Sequence, residues 1–129
     1  MAIRTKRFLF WLILGILALT VLTIWNYSAV KTTIRWWLWS GEYKAKVVSQ
    51  TASSNTDFHH IEWDGWGWAG MNTVIYLVFD PTDSLSSAAK SQQVGRFKGV
   101  PCEVYRVSRL ESKWYTVQFY TGEDWESCN

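Results

Sequence analysis

The first 40 residues contain no aspartate and no glutamate. They carry Arg4, Lys6, Arg7, Lys31 and Arg35, whereas residues 41–129 hold eight basic and eleven acidic residues, a net charge of −3. The formal charge of +2 for the whole chain therefore joins two unlike parts. A nucleic-acid footprint would need Lys and Arg clustered on the folded part, so no nucleic-acid partner is expected. Histidine is scarce too: His59 and His60 are the only two. That excludes an H-E-x-x-H zinc site and any three-histidine centre. No G-x-S-x-G occurs, which removes the nucleophile elbow of an esterase-like hydrolase. The run GWGWAG fits G-x-G-x-x-G by letter only. It lacks the strand-to-helix context, and its tryptophans would block a pyrophosphate. No cofactor is expected. A length of 129 residues leaves room for one domain at most, which rules out a TIM barrel, a full dinucleotide fold and a multidomain enzyme. A hydrophobic share of 48% against 19% charged residues also rules out a disordered chain.

What the chain has in abundance is apolar length and tryptophan. Phe8 to Trp25 is an 18-residue run without a charge. As a helix it covers about 27 Å, close to the hydrocarbon thickness of a bilayer. The expected organisation is a short basic cytoplasmic segment at 1–7, a transmembrane helix acting as signal anchor at 8–27, a Trp-rich juxtamembrane segment at 28–40, and an extracytoplasmic domain at 41–129. The three cations directly before the helix favour a cytoplasmic N-terminus and an exported C-terminus in the inner, plasma membrane. A cleavable signal peptide shares the charged start, but its apolar core is shorter. The sequence NYSAVKTT after the run also offers no small-x-small cleavage site. Trp36, Trp37 and Trp39, with Lys31 and Arg35, suit a headgroup region, as a continued or short interfacial helix over 31–39.

Cys102 and Cys128 are the only cysteines. On the exported side they are expected to form a disulfide. Their spacing, without C-x-x-C, matches no zinc motif.

The exported part reads as an α+β domain, a four- or five-stranded, mostly antiparallel sheet with one short helix. Alternation over 41–50 suggests a strand, and 51–57 a polar loop. Ile61 and Trp63 alternate with His60, Glu62 and Asp64, after which Trp66 and Trp68 fall on the opposite parity. A bulge permitted by Gly65 and Gly67 would turn those rings over. The run TVIYLVF at 73–79 is apolar on both faces and belongs in the centre of the sheet, with a helix on one side. Residues 82–90 read as that helix, capped by Thr82 or Asp83, with Leu85, Ala88 and Ala89 facing the sheet. A basic loop follows over 91–101. Residues 102–110 and 114–121 form a hairpin.

Three sites compete. His60, Glu62 and Asp64 at alternate strand positions offer imidazole and carboxylate to a metal, as in a small metal-assisted hydrolase, or are simply a solvated strand face. Trp66 and Trp68 offer rings to a glycan or a partner protein, while Trp63 belongs to the core. Arg96, Lys98, Arg106 and Arg109 offer charge to anionic groups, or balance the acidic tail. The pattern as a whole is that of a small bitopic protein of a bacterial cell envelope. Its expected role is that of a non-catalytic binding or accessory subunit. The expected partners are the lipid bilayer and another envelope protein or a glycan.

Overall fold

The computed structural model describes residues 2–50 and 58–128. The 51–57 stretch expected as a polar loop lies outside the described residues. Helix α1 spans Ala2–Trp25 and α2 spans Tyr27–Ser49. The domain then runs through β1 (His59–Trp68), β2 (Met71–Phe79), α3 (Ser86–Ser91), β3 (Val104–Glu111) and β4 (Trp114–Phe119). The chain divides into two compact units, with the break between Trp39 and Ser40.

In the first unit, Ile3–Trp25 is long and apolar enough to cross a membrane, and none of its apolar window is buried within the protein. Its few polar groups are satisfied along the helix itself. Thr20 and Thr23 donate their hydroxyls to Ile16 O and Leu19 O at 2.8 Å, and the Asn26 amide donates to Leu22 O at 3.1 Å. Such back-bonding satisfies the hydroxyls within the helix without calling on solvent. Arg4, Lys6 and Arg7 sit in the first turns, where the helix dipole disfavours cations. Their placement is therefore not explained by helix stability.

The second unit is built on one antiparallel sheet of order β1-β2-β4-β3. The doubly apolar β2 is internal, as its sequence demands. On one face Tyr76, Val78, Val104, Val107, Tyr115, Val117 and Phe119 pack with Leu85 and Ala88 of the α3 region and with Trp125 of the tail. The β3–β4 hairpin forms as expected, closing at Ser112 and Lys113, with Lys113 at a φ of 67°.

The opposite face corrects the sequence reading. Residues 41–49 are helical, the end of α2, and not a strand. Alternation of Tyr43, Ala45 and Val47 spans too few residues to separate a period of 2 from one of 3.6. The helical spacing prevails because it sets Tyr43 against the sheet and buries Val47 one turn on. The Tyr43 ring lies 4.8 Å from Trp63, and Val47 is fully buried. Lys44 pairs with Glu111 and lies 5.8 Å over the Trp114 ring, while Lys46 pairs with Glu42 at 3.0 Å along the helix. Within α2, Trp39 has non-helical dihedrals (φ −125°, ψ 16°). Among the described residues the sheet thus has four strands, with α3 on one face and the end of α2 on the other.

The α3 cap is a second correction. Neither Thr82 nor Asp83 caps the helix; the buried carboxylate of Asp80 organises the whole turn. Its Oδ1 accepts the Thr82 amide at 3.2 Å and the Thr82 hydroxyl at 2.9 Å. Its Oδ2 accepts the Ser84 hydroxyl at 2.9 Å and the Leu85 amide at 2.8 Å. Asp83 instead adopts a positive φ of 56° and ties this turn to the hairpin. It accepts the Lys113 amide at 2.9 Å and the Tyr115 hydroxyl, and it lies 3.7 Å from Arg109.

The Asp83–Tyr115 bond has a pH signature. Burial, then the bonded Asp83, push the Tyr115 phenol up to about 12, and that bond together with the Lys113 amide lowers the Asp83 carboxyl. A raised phenol contributes stability that is complete below its ordinary value and is lost as pH rises through the raised one. A lowered carboxyl contributes stability present above its ordinary value and lost as pH falls through the lowered one. The domain should therefore weaken in alkali between about pH 10 and 12. Tyr115→Phe should reduce that alkaline dependence, as measured by urea unfolding across the range, leaving the part carried by Tyr76, whose phenol is also raised by burial. An unchanged alkaline slope in the variant would exclude Tyr115 as its source.

Candidate functional site

The β1–β2 hairpin carries the unusual residues. Its register shifts between Glu62 and Asp64, so that Trp63 is an extra residue opposite β2. The bulge falls just before Gly65, and it reverses the parity of everything after it. Ile61 and Trp63 therefore share a face with Trp66 and Trp68, as the change of alternation implied. The turn at Ala69 and Gly70, with φ of 53° and 80°, is of the left-handed hairpin type that twists with its strands. At Gly67 the Asn72 side chain occupies the space a Cβ would take, its Oδ1 1.9 Å from that position, so a larger residue there would have to displace it.

The same bulge separates the expected metal-capable trio. His60 and Glu62 lie opposite Val78 and Tyr76, on the α3 face, whereas Asp64 lies opposite Ile75 on the other. The His60 ring stacks on Trp125 at 3.7 Å and meets the edge of Tyr76 at 5.5 Å. Its Nδ1 lies 2.9 Å from Phe58 O, a contact that needs the proton on Nδ1. Asp64 accepts the amide of its neighbour Gly65 at 2.9 Å. His60, Glu62 and Asp64 thus do not converge on one point. Among the described residues, the metal-capable side chains gathered within 4.8 Å of one another are Cys102, Glu123 and Cys128. There the two sulfurs are joined to each other, with Cα atoms 5.3 Å apart, which removes them as ligands.

The Trp66 face of the sheet carries a groove of about 320 Å³. Trp66 of β1 forms one wall. Tyr105 of β3 and Tyr120, just past β4, form the other, edge to face at 5.4 Å. Thr73, Gln118 and Thr121 supply the polar lining, and the Thr73 and Thr121 hydroxyls bond each other at 3.0 Å. Among the described residues, no charged side chain lines the groove. Trp66 is 54% exposed; Trp68, at the hairpin tip and outside the groove lining, is 86% exposed. Trp63 is buried, as a core residue should be. In the first unit, Trp37 is 80% exposed and Trp39 is also exposed, but Trp36 is only 9% exposed.

The sequence reading found Trp66 but missed Tyr105, Tyr120, Thr73 and Gln118. A signal for the tyrosines existed: counting outward from the Ser112–Lys113 turn sets Tyr105 against Tyr120. The two register shifts in this hairpin leave the rings in contact. No protein-family model, curated protein or solved structure matches this chain.

Proposed function

We propose that this protein is a single-pass membrane protein whose second unit acts outside the cytosol as a non-catalytic binding subunit of the bacterial cell envelope. The observation that carries the binding role is the groove between Trp66 and the Tyr105–Tyr120 pair. It is an exposed concavity walled by large rigid rings, which bury area at low entropic cost. The anchored placement is supported by the exposed apolar surface of Ile3–Trp25 and by the basic residues that precede it without acidic company. Export is supported by the Cys102–Cys128 pair, since disulfides persist in oxidising compartments. A tether of this kind holds the groove in a thin layer at the membrane, which raises its effective concentration for neighbours there.

Intact-mass measurement on the chain extracted without reduction from carbonate-washed membranes tests the placement. The expected species retains Phe8–Trp25 and is two hydrogens lighter than the dithiol. A freely soluble species that begins after Trp25, or one with two free thiols, would overturn it.

A further inference from the structure

We infer that the groove binds a saccharide, its pyranose faces packed on Trp66 and on the Tyr105–Tyr120 pair and its hydroxyls served by Thr73 and Gln118. The inference deepens the binding-subunit reading by naming the ligand class, and it rests on the chemistry of the lining. A sugar ring is two-sided. Its C–H faces carry slight positive charge and settle on the negative faces of aromatic rings, whereas its equatorial hydroxyls need donors and acceptors at the ring edge. The groove is arranged in that way. Aromatic walls stand on β1 and on the β3–β4 hairpin, and the Gln118 amide, which both donates and accepts, lies between them with the Thr73 hydroxyl.

Other occupants fit less well. A nucleotide or phosphorylated ligand would bring charge to a groove whose described lining holds no cation, the nearest on the register being Arg106 opposite Gln118. A folded partner protein needs about 800 Å² on each side, which a hollow of about 320 Å³ does not provide by itself. An added peptide strand would seek a sheet edge, yet much of the groove lies over the internal strands β2 and β4. One or two sugar rings of a longer glycan match both its size and its neutrality.

The test uses the full-length chain in detergent micelles, titrated with the hexamers of β-1,4-linked N-acetylglucosamine and of β-1,4-linked glucose. Heat of binding and tryptophan fluorescence are followed. At least one hexamer should bind by millimolar concentration and change the fluorescence. Trp66→Ala and Tyr120→Ala should each weaken that binding about tenfold or more, and Trp66→Phe should restore part of it. Trp68→Ala, outside the groove, should change it by less than about threefold. Trp66 and Tyr120 are both exposed, so these variants should keep the wild-type circular dichroism.

Binding of neither hexamer overturns the inference. So does binding that Trp66→Ala leaves intact. An equal loss on Trp68→Ala moves the contact to the hairpin tip and overturns the groove. Quenching of the tryptophan fluorescence by brominated phosphatidylglycerol that Trp66→Ala reduces, with neither hexamer bound, gives the rings to lipid instead and overturns the saccharide. The titration is made on purified protein and does not depend on topology, so its failure is distinguishable from failure of the envelope placement.

Discussion

Replacing Asp80 by alanine is expected to destabilise the second unit by about 3–5 kcal/mol, a large share of the 5–15 kcal/mol that holds a small domain together. Four donors depend on this one fully buried carboxylate: the amides of Thr82 and Leu85 and the hydroxyls of Thr82 and Ser84. Once it is removed, they retain their desolvation cost without a partner. The Leu85 amide is the most costly, because Leu85 itself is buried in the core beside Ala88. The loss should spread. The Asp80 amide also donates to Lys113 O at 2.9 Å, and the neighbouring Asp83 holds Lys113 and Tyr115. The turn that aims α3 at the sheet and the turn that closes β3–β4 therefore share one support. Asp80→Asn keeps the shape but turns an amide group toward donors, so a smaller loss of about 1–3 kcal/mol is expected. Urea unfolding of the full chain in micelles, followed by tryptophan fluorescence, measures both. A midpoint shift equivalent to less than about 1 kcal/mol for the alanine variant would show that the Asp80 network contributes little.

The second large effect concerns the tail. After β4, residues 120–128 form turns and no regular element, yet Trp125 is fully buried. It stacks on His60 and lies 5.3 Å from Tyr76 and 5.6 Å from Phe119. Its amide donates to the Tyr76 hydroxyl at 3.1 Å. Trp125→Ala should cost about 3–5 kcal/mol through lost transfer energy and the cavity left among these rings. Cys128→Ser opens a loop of 26 residues' separation and should cost about 3 kcal/mol in the chain-entropy account. Both changes release the same tail, so the double variant should lose less than the sum of the two. Strict additivity in denaturant unfolding would mean that the cystine and Trp125 stabilise separate parts of the domain. The tail therefore supplies core, and the disulfide supplies the constraint that keeps it there.

Much of this architecture is legible in the residues, and the reasons differ from element to element. TVIYLVF announced an internal strand because both of its faces are apolar. The hairpin around Ser112 and Lys113 followed from two patterned runs separated by a short turn. The change of parity between Trp63 and Trp66 revealed a bulge, since nothing else brings odd and even tryptophans to one face. The end of α2 was not legible. Over ten residues its pattern satisfies two periods, and only the sheet beneath it decides for the helix. Asp80 was also hidden. An aspartate before proline reads as a strand terminator, and its four partners lie within the next five residues as backbone and hydroxyl donors, a local constellation without a distinctive letter pattern.

The candidate site divides along the same line. Trp66 stood out by composition. Its companions come from β2, β3 and β4, so pairing them needed the strand order, which alternation alone does not supply. His60, Glu62 and Asp64 looked convergent because regular alternation was assumed to continue through Asp64. One inserted residue sent Asp64 to the other face, and His60 is occupied as an aromatic partner of Trp125.

The central claim is that the chain crosses the membrane once and presents its groove outside the cytosol. The most direct measurement fuses alkaline phosphatase, which folds only in an oxidising compartment, to Asn129, with a fluorescent protein that matures only in the cytosol as the paired reporter. A single-pass chain with its groove outside the cytosol gives an active phosphatase fusion and a dark fluorescent one. A fluorescent C-terminal fusion with an inactive phosphatase would contradict it.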